Sequence, residues 1–185
     1  TFCQISGCGS HTLAIDKNGK AWAWGSNGIG QLGDNTIINK STPIAVLGAA
    51  KTFCKITATV SFTLSIDKNG KAWAWGRNDF GQLGDNTIIN KSTPIAVGGA
   101  AKTFCQIVGS SLHSIGVDNN GKVWAWGDFS AGSLGNNASN CKRTPVAING
   151  NAKTFCNIVG GLQGAFTMAI DKNGKVWSWG DNTSG

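Results

Sequence analysis

Apolar and small or polar residues alternate in short stretches along the whole chain, and this pattern predicts β-strands. In HTLAI the large side chains are Leu13 and Ile15, and in KAWAWG they are Trp22 and Trp24. Successive side chains of a strand point to opposite faces, so each stretch would bury one face. No stretch has the length and 3.6-residue period of an amphipathic helix. We therefore expect an all-β protein with strands at CQIS, HTLAI, KAWAWG and TPIAV.

The strand pattern recurs at a spacing of 51 residues. KTFC or TFC ends at Cys3, Cys54, Cys105 and Cys156, and each copy is followed by a D-x-N-G-K-x-W-x-W-G segment. Asn and Gly accept positive φ, so D-x-N-G predicts a tight hairpin between the second and third strands. The repeats occupy residues 1–51, 52–102, 103–153 and 154–185, of which the last is partial.

Four short strands in about 50 residues, repeated head to tail, are typical of a propeller blade. HTLAIDKNGKAWAWGSNGIGQLGDN, followed by a Pro-containing strand, resembles the repeat of the regulator of chromosome condensation family. The resemblance covers the whole chain. The sequence departs from it at Ser133, in place of Gln, and at Phe62 and Phe166, in place of His. It implies a β-propeller, of seven blades in that family, of which this chain holds about three and a half.

A partial ring of this kind leaves two sheets with an open side, and exposed edges favour pairing. The sequence stops at Gly185, inside the fourth G-Q-L-G segment, which favours a piece of a longer gene product. Alternatively, two copies would close one ring of seven or eight blades as a homodimer.

One segment, GIGQLG at residues 28–33, matches the G-x-G-x-x-G phosphate-binding pattern. A dinucleotide site needs a helix directly after these glycines, and residues rich in Asn, Thr, Ile and Pro follow instead. In the next repeat, Asp79 replaces the first glycine. We interpret the recurrent Gly25, Gly30 and Gly33 as turn residues and predict no nucleotide cofactor.

The composition agrees with an all-β chain and indicates which class of partner it binds. The chain has 27 Gly and 8 Trp, no Glu, and a formal net charge of +7. Its lysines recur singly at fixed intervals and form no run, so we expect a protein partner rather than nucleic acid. No apolar stretch approaches the ~18–20 residues of a membrane helix, and no signal-peptide pattern indicates a compartment.

The cysteines and turn aspartates do not predict a metal site. We expect Cys3, Cys54, Cys105 and Cys156 to be small buried apolar residues of one strand position. Cys3, Cys8 and His11 form a loose C-x4-C-x2-H that lacks the second close pair of a zinc site. The D-x-N-G turns lack the downstream Glu of a calcium loop.

The two histidines, His11 and His113, are the remaining candidates for catalysis. They lack a Glu partner and a recurrent nucleophile context such as G-x-S-x-G. Phe occupies the equivalent place in the other two repeats. We therefore expect structural histidines and no enzyme activity.

Differences between repeats indicate where a partner would bind. The segment after each W-G varies as SNGI, RNDF, DFSA and DNTS. Charged and aromatic residues on loops are typical interface anchors. The predicted partner-binding residues are Arg77, Asp79, Phe80, Asp128 and Phe129.

The sequence thus predicts a non-catalytic propeller that acts as a protein–protein interaction scaffold. A ligand- or glycan-binding module is the alternative from a different class. The resemblance also implies regulators: the founding member of the family is a nucleotide exchange factor for the small GTPase Ran and binds chromatin, and bacterial relatives include a β-lactamase inhibitor. No partner-specific residue pattern of these proteins is present.

Overall fold

The computed structural model describes residues 1–48, 52–99, 102–149, 153–161 and 165–183. Within these ranges the chain forms four antiparallel sheets, three of four strands and one of three. Each sheet lies inside one predicted repeat and is one blade. The prediction of an all-β chain of propeller blades is confirmed.

The strands follow one another within each blade in simple up-and-down order. Blade 1 contains β1 (Phe2–Cys8), β2 (His11–Asp16), β3 (Ala21–Gly25) and β4 (Lys40–Ala45). Blade 2 contains β5 (Phe53–Ala58), β6 (Phe62–Asp67), β7 (Ala72–Gly76) and β8 (Lys91–Ala96). Blade 3 contains β9 (Phe104–Gly109), β10 (His113–Asp118), β11 (Val123–Gly127) and β12 (Lys142–Ala147). Blade 4 contains β13 (Phe155–Gly160), β14 (Phe166–Asp171) and β15 (Val176–Gly180).

A three-residue 3₁₀ turn at Ser130–Gly132 is the one helical segment in the described ranges. None of the residues placed by the structure therefore belongs to a helix with the length and apolarity needed to cross a bilayer.

The tight hairpins between the second and third strands form as predicted. In blade 1 the pairing runs from His11 opposite Gly25 to Ile15 opposite Ala21. Gly19 takes a φ of +79° and donates its amide to the Asp16 carbonyl at 2.8 Å. Because a side chain disfavours that φ, glycine suits the position.

The recurrent cysteines contradict the sequence prediction, because all four are exposed. In each blade the first strand shifts register by one residue at the cysteine, as between Phe2 and Gln4 of β1. Such a β-bulge leaves its extra residue unpaired and re-aims the side chain. The thiols lie 3.4–3.6 Å from backbone carbonyls at the end of the second strand instead of packing in the core. Burial in the core is therefore not the reason why cysteine recurs at this position.

The core lies between successive blades. The first strands of neighbouring sheets contact one another, and the second strand of each blade contacts the first strand of the next. At the first interface, Leu13 and Ile15 of β2 belong to one buried cluster with Phe53 and Ile56 of β5. The second tryptophans of the W-x-W pairs in blades 2 and 3, Trp75 and Trp126, are fully buried. Each blade is therefore stabilised by the blade that follows it.

Side-chain amides also join the first strands across the blades. Gln4 donates to the Ile56 carbonyl at 3.2 Å and accepts the Ile56 amide at 3.3 Å. Gln106 makes the same pair of bonds with Ile158. Lys55 takes the glutamine's place in blade 2 and makes one bond, from Nζ to the Cys105 carbonyl.

The up-and-down order gives the molecule two different ends. We call the end with the D-x-N-G turns the hairpin face. We call the opposite end, which carries the connections between first and second and between third and fourth strands, the loop face. Equivalent residues of successive blades therefore recur along the same face.

Candidate functional site

A buried asparagine organises each long loop of blades 1 and 2 at the loop face. Asn27 has no solvent exposure. Its Nδ2 donates to the Asp34 carboxylate at 2.9 Å and to the Ile38 carbonyl at 3.2 Å, and its Oδ1 accepts the Leu32 amide at 2.9 Å. Asn78 repeats these bonds in blade 2. Sequence reasoning placed both asparagines in the variable segment, although their recurrence as W-G-x-N was visible.

The glycines of the G-x-G-x-x-G segment shape a contact between blades. Gly33 has a φ of +74°, and a Cβ there would lie 2.7 Å from Nε1 of Trp75 in the next blade. Gly84 stands in the same relation to Trp126, and the Trp126 indole donates to the Gln82 carbonyl at 3.0 Å. The loop of one blade thus closes over the second tryptophan of the next. These glycines serve backbone packing, as the turn interpretation holds.

Both histidines are buried between blades. Nε2 of His11 lies 3.4 Å from the Thr63 hydroxyl, and Nε2 of His113 lies 3.2 Å from the Thr167 hydroxyl. Burial lowers the pKa of each histidine to about 4, although Asp128 opposes the effect at His113. Both imidazoles are therefore neutral near pH 7 and hold neighbouring blades together.

The turn aspartates are fully engaged within their own hairpins. In blade 1, Asp16 Oδ1 accepts the amides of Asn18 and Lys20, and Oδ2 accepts the Trp22 indole N–H at 2.9 Å. The indole bond is the main cause of the lowered pKa of Asp16. In the described ranges, no group of three or more His, Cys or Asp side chains is arranged to hold a metal ion.

Three of the five predicted partner-binding residues come together on the loop face of blade 2. The Arg77 guanidinium lies 2.7 Å from the Asp79 carboxylate, and both side chains are substantially exposed. Asp79 and the half-buried Phe80 line a cleft of about 470 Å³ between blades 2 and 3. This cleft, which also includes Asn86 and Ile88, is called the blade 2/3 cleft below.

The other two predicted residues, Asp128 and Phe129, lie within the packing of blade 3. Phe129 occupies the position that Asn78 has in blade 2 and packs, as Trp177 and Trp179 do, against the buried cluster that contains Leu134. Asp128 is 6% exposed. Its carboxylate accepts hydrogen bonds from the Ser130 hydroxyl and from the Cys141 thiol.

The far side of the blade 2/3 cleft holds residues that sequence reasoning missed. Asn140, Cys141, Lys142 and Arg143 of blade 3 line it. The signal was a departure from the repeat: Arg143 stands where blade 2 has Ser92. These residues lie more than 60 positions from Asp79 in the chain, so only the blade packing brings them together.

The lysines that are spaced singly along the sequence come together on the hairpin face, which the sequence analysis did not predict. Nine described lysines lie on the hairpin face with four aspartates, which gives that face +5 of the chain's +7. Several of these lysines lie over the first tryptophans of the W-x-W pairs, with Lys153 Nζ 3.9 Å from the Trp177 ring centroid. The lysines on this face are Lys17, Lys20, Lys68, Lys71, Lys102, Lys122, Lys153, Lys172 and Lys175.

These loops and blades match a known repeat. The Regulator of chromosome condensation (RCC1) repeat matches residues 18–66 and 69–117, and a second form of it matches 2–31, 53–82, 104–133 and 164–185. The chain belongs to the RCC1 repeat family.

The RCC1 relatives are much longer than this chain. Human E3 ubiquitin-protein ligase HERC2 is 30% identical over 185 residues, which cover 93% of this chain and 4% of HERC2. Prp20p of Saccharomyces cerevisiae, solved in a study of its binding properties to Gsp1p and histones, superposes with a TM-score of 0.80 at 26% identity. That match covers 98% of this chain and 44% of Prp20p.

A further solved structure has a similar fold. Human WBSCR16 superposes with a TM-score of 0.87 at 20% identity over 98% of this chain and 48% of WBSCR16. The chain thus spans less than half of each of these three proteins. The RCC1 fold of the described blades is established.

Proposed function

We propose that the chain is a non-catalytic interaction scaffold that binds another protein through its loop face. The observation that carries the proposal is the contrast between recurrent and variable residues. The recurrent histidines, asparagines and turn aspartates use their polar groups within the fold. Arg77, Asp79 and Phe80 vary between repeats and face solvent around the blade 2/3 cleft.

The RCC1 relatives support a protein partner. Prp20p binds proteins, and a rigid propeller can present different loops to different partners. The ligase activity named for HERC2 concerns a protein of which this chain matches 4%. A chromatin or exchange-factor role is the alternative, and it rests on analogy to relatives alone.

Site-specific photo-crosslinking in a cell extract tests this function. A benzophenone amino acid at Ile88, which is 50% exposed in the cleft, is expected to give a discrete crosslinked protein. The matched control replaces Arg77, Asp79 and Phe80 by the Ser, Gly and Ile of blade 1, which the fold already accepts. Loss of the product in that triple variant supports the proposal. No discrete product, or one that the swap leaves unchanged, contradicts it and favours a ligand- or glycan-binding module.

We also propose that the 185-residue chain closes its ring with a second copy. Phe2 is 46% exposed and Ile5 66%, whereas their equivalents in blade 2, Phe53 and Ile56, are 3% and 1% exposed. At the other end, Met168 and Val176 are 39% and 56% exposed, although the equivalent side chains of blade 2 are buried. The two open sides are the two halves of an interface that the chain forms internally. In a longer chain, further blades would cover the same surfaces.

Light scattering across a concentration series tests the second copy. Two copies joined head to tail at both ends form a closed ring, so a mass near twice 19.2 kDa is expected rather than a filament. Ile5→Asp should yield the single-chain mass. Ile37→Asp, at an exposed loop position away from both open sides, should not. A single-chain mass of the unaltered protein at every concentration would overturn this proposal.

A further inference from the structure

The blade 2/3 cleft has an internal counterpart in the same molecule. The backbone N–H of Asn86 donates to the Arg143 carbonyl at 2.9 Å, and the backbone N–H of Asn35 donates to the Ser92 carbonyl at 2.8 Å. The two sites therefore have the same backbone frame, and their side chains can be compared position by position. The comparison shows which charged groups the blade 2/3 cleft has in addition to those of its counterpart.

The first addition is a lysine that has no carboxylate as an ion-pair partner. Lys40 pairs with Asp34 at 3.3 Å in blade 1, and Lys91 pairs with Asp85 at 3.5 Å in blade 2. In blade 3 the position of that aspartate is Asn136. The equivalent lysine, Lys142, donates instead to the neutral side chain of Asn140 at 2.6 Å.

The second addition is an arginine. Arg143 is exposed and replaces Ser92 of the counterpart. The ion pairs formed by described residues are Lys40–Asp34, Arg77–Asp79 and Lys91–Asp85, so neither Lys142 nor Arg143 belongs to one. Asp79, on the opposite side of the cleft, is neutralised by Arg77. Asp128 lies buried behind Cys141, where it accepts hydrogen bonds from Ser130 and Cys141.

The cleft also offers apolar surface beside these two cations. Phe80 and the half-exposed Ile88 line it, and its volume of about 470 Å³ accommodates several side chains. An interface site that combines an aromatic anchor with unpaired cations fits a segment that carries both an apolar and an anionic side chain.

We infer that the blade 2/3 cleft binds an acidic segment of a partner protein, with a carboxylate at Lys142 and Arg143 and an apolar neighbour on Phe80 and Ile88. This inference rests on the proposed scaffold function and specifies the chemistry of its partner. Guanidinium and ammonium groups that are not already paired gain charge-assisted hydrogen bonds from such a carboxylate. The counterpart between blades 1 and 2, where Lys91 is already paired with Asp85, would bind the same segment more weakly.

The arginine side chains provide a direct measurement. The chain has two arginines, Arg77 and Arg143, and only Arg143 lines the cleft, so its Nε–H signal in a nitrogen–proton NMR spectrum reports on the cleft. The probe is the capped pentapeptide Glu-Leu-Glu-Leu-Glu, and the control is Gln-Leu-Gln-Leu-Gln. We expect a saturable shift of the Arg143 signal with the acidic peptide that weakens as salt is added.

Two variants taken from the other repeats test the assignment. Asn136→Asp restores the partner of Lys142 and keeps an acceptor for the Ala138 amide, which Asn136 now accepts at 3.0 Å. It should weaken peptide binding about fivefold, and Arg143→Ser about tenfold. Equal binding of the Gln peptide, no effect of either variant, or an equal response of Arg143 to inorganic phosphate would overturn the inference. If the crosslink at Ile88 persists in both variants, the scaffold function stands and the acidic-segment assignment falls.

Discussion

The indole nitrogen of Trp124 lies 2.9 Å from the Asp118 carboxylate across the hairpin of blade 3. The same carboxylate accepts the amides of Asn120 and Lys122. This pairing recurs in all four blades with an N–O distance of 2.9 Å. One acidic side chain therefore fixes both the turn and the tryptophan that follows it.

Replacing the carboxylate should destabilise the blade even with an isosteric side chain. Asp118→Asn places an amide NH₂ where donors already converge, so at least one of the three bonds is lost. We expect a loss of about 2 kcal/mol in the free energy of unfolding, measured by urea denaturation. Asp79→Asn, at an exposed ion pair, should change it by less than about 0.5 kcal/mol. Equal losses in the two variants would contradict this role of Asp118.

The buried histidines should make the protein less stable in mild acid. Their pKa is about 4 in the folded chain and 6.5 as the ordinary value, so the unfolded chain binds protons first as pH falls. The contribution of the two neutral histidines to the stability of the folded chain is complete above pH 6.5 and is lost between pH 6.5 and pH 4. At pH 5 each histidine should cost about 2 kcal/mol relative to pH 7.5. Urea denaturation at several pH values measures the slope.

Replacing one histidine by the residue that two other blades have at that position separates the contributions of His11 and His113 to the pH dependence of stability. His113→Phe adopts the residue of blades 2 and 4, and Gly160 occupies in the first strand of blade 4 the position that Gly109, which lies beside Phe62, has in blade 3. The pH dependence of stability should fall by roughly half. An unchanged slope would show that other groups cause the acid effect.

Two glycines of the G-x-G-x-x-G segment should respond differently to alanine. Gly33→Ala places a methyl group 2.7 Å from Trp75 Nε1 at a φ of +74° and should cost roughly 2 kcal/mol or more. Gly28→Ala meets nothing within 4 Å and should be nearly neutral. Thermal unfolding of both variants measures the difference. Similar losses would argue against the packing role of Gly33.

A single substitution at the first strand of blade 2 should stabilise the protein. Lys55→Gln would recreate, on Ile107, the paired amide bonds that Gln4 and Gln106 make with the next blade. We expect a gain of about 1 kcal/mol in unfolding free energy. Lys55→Ala, which cannot form the bonds, is the control. A gain of the same size in both would point to charge removal instead.

Repetition explains how much of this molecule could be predicted from its sequence. Strands, hairpins and blade order follow from local patterns that recur every 51 residues. The exposure of Cys54 could not be foreseen, because a one-residue register shift reverses where its side chain points. The burial of Asp128 depends on contacts with other residues of blade 3, such as Ser130 and Cys141, and the cleft depends on packing between blades. These properties arise from tertiary contacts that local alternation does not encode.

The predicted partner-binding residues show the same division. Variation between repeats alone led to Arg77, Asp79 and Phe80, because exposed loop positions tolerate change, and their role in partner binding stays a prediction. Lys142 and Arg143, which we propose bind the partner, were not predicted; the role of Lys142 depends on Asn136, where blades 1 and 2 have Asp34 and Asp85. A comparison of charge pairs between repeats singles out Lys142, and a comparison of single positions singles out Arg143, which replaces Ser92.

The lysines of the hairpin face give the molecule a strong permanent dipole along its axis, since the loop face is close to neutral. In the field of a negatively charged solid, such as a cation-exchange resin or mica, a dipolar particle rotates before it lands. The chain would therefore adsorb with its turns against the support and its variable loops pointing into solution. Immobilisation by charge alone would yield an oriented layer with the blade 2/3 cleft accessible at every site.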